Sequence, residues 1–294
     1  MRSKNILIIS DRGFIGKSLY NNFKTINEYK VYGLNSNTCN LLDFNKTYSV
    51  LSKLISQPFT IIFLSTFGRF PKDDYSVYRK NTEMITNFLK SIKPEFIEQF
   101  IFFSSTCLYG RPPKKNLISE DLECLPNGYY GLSKFVSEKL IQLNLSNPIT
   151  IIRVPGVYGE LDRNKSIINL FIDKITKNEE IIIYDNGIVL RDFVYINDII
   201  EVIKHAINVK SSLTLNIATG KSKTIIEILK HIEKTINTKA KVKFLESNHI
   251  QFDMKFDISK LKNFIPNFKP TIMEEGIRQN IEKKYSNTSL SNNY

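Results

Sequence analysis

The first half of this chain alternates short apolar runs, rich in β-branched and aromatic side chains, with stretches of helical character, and few folds accommodate that rhythm. Buried strands are expected at Asn5–Ile9, Lys30–Leu34, Thr60–Leu64, Phe100–Ser104 and Thr150–Val154. Helices fit between them at Lys17–Lys24, Tyr48–Ile55, Tyr78–Ile92 and Tyr130–Leu143. A repeated β-α-β order predicts an α/β fold with a parallel, doubly wound sheet. Ligands of such sheets gather outside the carboxyl ends of the strands. Ser10–Gly16, Ser65–Thr66, Ser104–Ser105 and Pro155–Gly156 all fall there.

After about Gly159 the pattern shifts to a helix (Ser166–Lys177), a strand (Glu180–Tyr184), mixed short elements and two further helices (Lys223–Thr235, Ile272–Lys284). This predicts a sheet domain over 1–159, completed by part of 190–220, and a smaller α/β lobe over 160–294 that ends in a polar frayed tail, Tyr285–Tyr294. With 294 residues and 42% hydrophobic content the chain can bury a substantial core. No apolar run approaches the roughly 18 residues of a membrane span, and no long hydrophobic signal region precedes Ile6, so cytoplasmic residence without membrane insertion is the expectation. Cys39, Cys107 and Cys124 are odd in number and lack paired-ligand spacing. Free thiols are expected, with no metal site. The formal charge of +12 is spread along the chain and accompanies no nucleic-acid motif. No nucleic-acid partner is expected from it; a compositional bias with solvated lysines and a small anionic ligand such as a nucleotide diphosphate both fit, and the charge does not choose between them.

Ser10-Asp11-Arg12-Gly13-Phe14-Ile15-Gly16 lies between the first strand and the first helix, where a dinucleotide-binding loop belongs. Glycines there permit tight turning and close approach of pyrophosphate to a helix N-terminus. Ser10 holds the place usually given to the first glycine. The second strand ends in Leu34-Asn35, without the acid that binds a ribose 2′-hydroxyl in NAD sites. Arg12, with Lys17 nearby, suits a 2′-phosphate; this tilts the expectation to NADP, with NAD the alternative. The fourth strand runs into Ser104-Ser105-Thr106-Cys107-Leu108-Tyr109-Gly110, which offers hydroxyls and a thiol at a strand end. Tyr130 and Lys134, four residues apart, share one helix face with Cβ atoms roughly 5–6 Å apart. A neighbouring cation should lower the phenol's pKa from about 10 and make the pair an acid/base device. Arg153 and Arg191 are candidates for holding a diphosphate by paired hydrogen bonds, a surface ion pair with Asp192 or Asp198 being the plainer reading of Arg191.

Taken in order, Gly13-Phe14-Ile15-Gly16, Ser105, Leu108-Tyr109-Gly110, Tyr130-Gly131-Leu132-Ser133-Lys134, Val157-Tyr158-Gly159, Arg191-Asp192-Phe193 and Asp257-Ile258-Ser259-Lys260 resemble the extended short-chain dehydrogenase/reductase family, in its nucleotide-sugar-modifying branch. The resemblance covers nearly the whole chain. It implies a Rossmann-type domain that binds NADP or NAD through Ser10, Arg12, Gly13, Phe14, Ile15, Gly16, Asp43, Ser65, Asn81, Tyr130 and Lys134. It further implies Ser105, Tyr130 and Lys134 as the catalytic set, with Tyr130 as acid/base, Lys134 on the nicotinamide ribose and Ser105 orienting the sugar oxygen. Ser105, Thr106, Cys107 and Arg191 would meet a nucleotide-sugar substrate. The helices beginning near Tyr78 and Tyr130 would form a homodimer interface.

Dehydratases of the family carry an Asp-Glu pair after the catalytic hydroxyl residue; this chain has Thr106-Cys107. The motifs look most like 4-keto sugar-nucleotide reductases of the GDP-fucose synthase type, including Cys107 at that enzyme's acid/base cysteine. The histidine of its double epimerisation is replaced in Arg163-Asn164-Lys165-Ser166-Ile167. Simple C4 reduction of a 4-keto-6-deoxy sugar nucleotide is therefore the expected reaction. A 4-epimerase that retains NAD, or a binding protein without catalysis, are the competing readings.

Overall fold

A computed structural model describes residues 3–113, 117–163, 166–247 and 251–291, with side chains to residue 284. Asn164 and Lys165 of the replaced histidine segment lie outside them. The chain divides into two compact units, one comprising Met1–Arg111, Glu120–Val154 and Ile200–Asn216, the other Pro112–Ser119, Pro155–Ile199 and Ile217–Tyr294.

The first unit is built on a six-stranded parallel sheet with the order β10-β5-β4-β3-β1-β2. Its strands are β1 (Lys4–Ile9), β2 (Tyr29–Leu34), β3 (Phe59–Phe63), β4 (Ile97–Ser105), β5 (Ile149–Val154) and, from beyond residue 200, β10 (Leu213–Asn216). Helices α1 (Phe14–Phe23), α2 (Phe44–Leu54), α3 (Tyr75–Ser91) and α4 (Tyr129–Asn144) connect the first five. This is a Rossmann-type α/β fold. Leu7, Ile9, Ile61, Phe63, Phe100 and Phe102 turn one face of the strands onto Met84, Ile85 and Phe88 of α3 and Ile141 of α4. Ile6, Ile8, Ile62 and Ile101, alternating with them, are equally buried, so the runs are continuously apolar. The order reverses between β1 and β3, and a crevice opens at their carboxyl ends.

Three helices begin earlier than spacing alone indicates, and in two of them a capping side chain sets the start. Asp43 accepts from the backbone N–H of Lys46 and starts α2 at Phe44, four residues ahead of Tyr48. Asp74 accepts from Ser76 N and starts α3 at Tyr75. Helix α1 begins at Phe14, directly after Gly13.

In the second unit, β6 (Gly156–Tyr158) runs parallel to β9 (Phe193–Tyr195), β7 (Glu180–Tyr184) parallel to β12 (Lys241–Leu245), and β8 (Leu190–Arg191) antiparallel to β11 (Lys223–Thr224). Helices α5 (Ile167–Thr176), α7 (Ile225–Ile236) and α9 (Met273–Ser291) pack in sequence, and α8 (Ser259–Phe264) is short; α6 (Ile196–Val209) leads back to β10. Two expectations change here. Lys223–Thr224 is strand, and Thr224 closes a capping box with Glu227 to begin α7 at Ile225. The stretch after Lys284, expected to fray, continues the last helix through Ser291. Among the described residues no helix is long and apolar enough to cross a membrane, and no cluster of three metal-ligating side chains occurs. The three cysteines are free thiols.

Candidate active site

The first loop forms one wall of the crevice. Ser10 adopts φ +81°, the left-handed conformation that glycine supplies at low cost, and its N–H donates to Leu34 O at 2.6 Å. The substitution keeps the turn and not merely its position. Gly13 N–H donates back to Ser10 O, and a Cβ on Gly16 would stand 2.0 Å from that same carbonyl oxygen. Gly16 is thus required for α1 to approach the loop. A cleft of about 380 Å³ follows, lined by Ser10, Arg12, Gly13, Asn35, Ser65 and Thr66, among others. Exposed backbone at a helix N-terminus, a glycine cradle and an adjacent guanidinium fit a dinucleotide's pyrophosphate.

Not every sequence candidate faces this cleft. Phe14, Ile15 and Gly16 open α1, where Gly16 is buried. Asp43 serves as the cap of α2. Asn81 is buried: its Oδ1 accepts from Phe67 N–H at 2.7 Å, while its Nδ2 donates to Phe67 O and Ser133 Oγ, both at 3.0 Å. It ties the loop after β3 to α4. Arg191, in the second unit, donates to Leu190 O and Phe252 O at 2.9 and 2.6 Å and lies over the Phe252 ring. Asp192 is spent on Thr219 and Gly220, and Asp198 holds Thr271.

Ser105 ends β4, and the 3₁₀ turn Thr106–Tyr109 starts on it, with Cys107 N–H donating to Ser105 Oγ at 3.2 Å. Helix α4 is drawn against this turn because Gly131 has no side chain; a Cβ there would meet Cys107 O at 2.6 Å. Asp73 fixes the start of the helix by accepting from Tyr130 N–H at 2.7 Å. Tyr130 is half-buried, and Ser105 and Thr106 are buried. Lys134 is 3% exposed and donates to Phe103 O at 2.8 Å, with its ammonium 5.8 Å from the Tyr130 ring centre. The structure therefore brings Ser105, Cys107, Tyr130 and Lys134 together at one strand end.

The electrostatics differ from the simple cation-beside-phenol expectation. Desolvation, with the Cys107 thiol adding to it, pushes the Tyr130 phenol above its ordinary value, although Ser105, Arg69 and Thr66 pull the other way. Desolvation also takes Lys134 down to about 7, against the opposing influence of Glu138 and Cys107. Burial outweighs the mutual attraction. The result is a phenol that keeps its proton at neutral pH beside an ammonium poised to lose one.

Sequence reasoning missed the foundation of this site. Arg153, a candidate for diphosphate, is instead buried, and its guanidinium meets Glu138 through Nη2–Oε2 at 2.7 Å and Nε–Oε1 at 3.1 Å. It also donates to Tyr109 Oη and Glu120 O, and Ser104 Oγ donates to Glu138. Burial opposes the guanidinium's charge, but Glu138 more than offsets this and holds Arg153 above its usual range. A carboxylate four residues after Lys134 was the available signal, since i and i+4 share a helix face.

A six-stranded parallel sheet with Ser, Tyr and Lys gathered at a strand end defines a Rossmann-type oxidoreductase arrangement. The chain belongs to the NAD dependent epimerase/dehydratase family, whose model matches residues 6–218. It is an enzyme of that NAD(P)-dependent, sugar-nucleotide-modifying group. It is 31% identical to a putative UDP-glucose 4-epimerase of Methanocaldococcus jannaschii, over 66% of this chain and 65% of that protein. It is 26% identical to dTDP-4-dehydro-6-deoxyglucose reductase of Escherichia coli, over 94% and 96% of the two chains. Among solved structures, UDP-glucuronic acid 4-epimerase from Bacillus cereus, in complex with UDP-glucuronic acid and NAD, superposes with a TM-score of 0.81 at 23% identity, over 96% of this chain and 99% of that one.

Proposed function

We propose that this enzyme reduces a 4-keto-6-deoxy sugar nucleotide at C4, with NADPH or NADH as the reductant. The observation that carries the reading is the Ser105–Tyr130–Lys134 cluster gathered at the end of β4. Ketone reduction consumes a proton at the carbonyl oxygen, so a protonated phenol is the starting state that the reaction needs. When bound, the reduced nicotinamide supplies the hydride. Ser10 and Gly13 would cradle the pyrophosphate, with Arg12 beside it and Gly16 letting α1 approach the loop from behind. Ser105 Oγ donates a hydrogen bond to the C4 oxygen, Tyr130 Oη delivers the proton, and Lys134 in its cationic form stabilises the phenolate left behind. The Thr106-Cys107 pair supports reduction over dehydration, since neither side chain offers the carboxylate pair that dehydratases carry there. Similarity to the Escherichia coli reductase over most of both chains supports the same reading.

The 4-epimerase alternative is favoured by likeness to the Methanocaldococcus jannaschii and Bacillus cereus proteins. It requires the phenol to act first as a base and then to return the proton to the same oxygen. The second unit is proposed to bind the sugar nucleotide, with Arg191 on its nucleotide part. A homodimer through α3 and α4 is supported by the exposure of Tyr75, Tyr129 and Leu132 on those helices.

The test is stopped-flow or steady-state oxidation of NADPH and NADH with a panel of nucleotide-linked 4-keto-6-deoxy sugars. Turnover is expected, and Tyr130→Phe abolishes it while sparing cofactor binding. Tightly retained NAD, with interconversion of C4 epimers and no net cofactor consumption, would replace reduction by epimerisation.

A further inference from the structure

The end of β2 carries Asn35 where an acid would select the ribose 2′-hydroxyl. An acid from the first loop, Asp11, is bound to it. Asn35 lines the cleft and donates through Nδ2 to Asp11 Oδ1 at 2.9 Å. Its own Oδ1 accepts from Asn37 N–H at 3.1 Å, so both ends of the amide are fixed. Asp11 N–H in turn donates to Leu34 O at 3.2 Å, holding the acid's backbone against the end of β2.

Gly33 gives a second, independent sign that this placement is built in. Glycine inside a strand sacrifices packing and order, and its usual reason is the close approach of another group. Here the approaching group is the Asp11 carboxylate. A Cβ on Gly33 would stand 2.3 Å from Asp11 Oδ2 and 2.7 Å from its Cγ. A Cβ at position 33 would force the Asp11 side chain to move from where it now sits.

We infer that the Asp11–Asn35 pair, seated on Gly33, takes the part of the missing β2 acid and makes the cofactor cleft discriminate against a 2′-phosphate. The pair places a fixed negative charge at the end of β2, which a neutral ribose tolerates and a phosphate dianion does not. Arg12 lines the same cleft and draws the phosphate the other way, and the carboxylate one residue before it offsets that attraction. The nicotinamide cofactor favoured is therefore NADH, contrary to the tilt that Arg12 and Lys17 give when the sequence is read alone. The inference rests on the proposed cofactor reading.

Calorimetric titration of the full chain with NADH and with NADPH, at fixed ionic strength, tests it by affinity and not by turnover. The wild type is expected to bind NADH more tightly. Asp11→Asn, which keeps the shape and removes the charge, shifts the affinity ratio toward NADPH by about threefold or more. Gly33→Ala, which leaves the charge and displaces it, shifts the ratio in the same direction and serves if Asp11→Asn folds poorly. A wild-type preference for NADPH, or a ratio that moves less than about threefold in the folded variants, overturns the inference while leaving the reductase proposal standing. Failure to bind either cofactor would overturn both.

Discussion

Removing the carboxylate of Glu138 should cost this enzyme more than any exposed ion pair could. The side chains of Glu138 and Arg153 are 2% and 8% exposed, and they meet through two hydrogen bonds. Glu138→Leu leaves the guanidinium its bonds to Tyr109 Oη and the Glu120 carbonyl but removes the carboxylate that pairs with it, and it strips Ser104 of its acceptor. An unpaired charge in that position costs about 3–5 kcal/mol. At roughly 2–4 °C per kcal/mol for a chain approaching this size, the melting temperature falls by roughly 6–20 °C. Arg153→Met costs a similar amount for the converse reason. The double variant Glu138→Leu/Arg153→Met, which removes both charges, should recover most of the loss, with a coupling of at least about 2 kcal/mol in the cycle. Differential scanning calorimetry of the four proteins measures this. Single losses below about 1 kcal/mol, or costs that simply add in the double variant, would refute the argument that this pair anchors α4 to β4 and β5.

Ser10→Gly should be more stable than Ser10→Ala by about 1 kcal/mol in chemical unfolding, because only glycine relaxes at φ +81°; equal stabilities would mean that the turn is unstrained. Lys134, whose pKa falls to about 7 in the folded protein, imposes a penalty on folding at low pH that is relieved as pH rises from about 7 through the unfolded lysine value of about 10. The unfolded chain binds the extra proton across that window, so stability rises with pH there. Lys134→Met should flatten this slope in urea titrations at pH 7 and pH 9.5, and an unchanged slope would place the titration elsewhere.

Much of the fold follows from local pattern. The five apolar runs at the start of the chain mark β1 to β5 to within a few residues, since strands buried on both faces leave a continuous signal; β2, at the sheet edge, was expected buried and is only partly so. Ser105, Tyr130 and Lys134 were legible as a set because strand ends and helix starts in a parallel sheet are forced to meet. Capping was the weak point. Asp43 and Asp74 set helix starts by accepting backbone N–H groups, an event that apolar periodicity does not register.

The residue types thus determined a parallel sheet, a glycine-bearing loop after its first strand and a Tyr–Lys pair on one helix face. Tertiary structure decided what those groups experience. Desolvation depends on every neighbour at once, so the rise of the Tyr130 phenol and the fall of Lys134 emerge only when α4 closes on β4. Long-range pairing decided the rest: Glu138 turned Arg153 from a candidate ligand into a buried support, and Gly33 admitted Asp11 to the end of β2. Separations of 15 and 22 positions in the chain become contacts because a strand and its neighbours lie side by side, a proximity that no local pattern encodes.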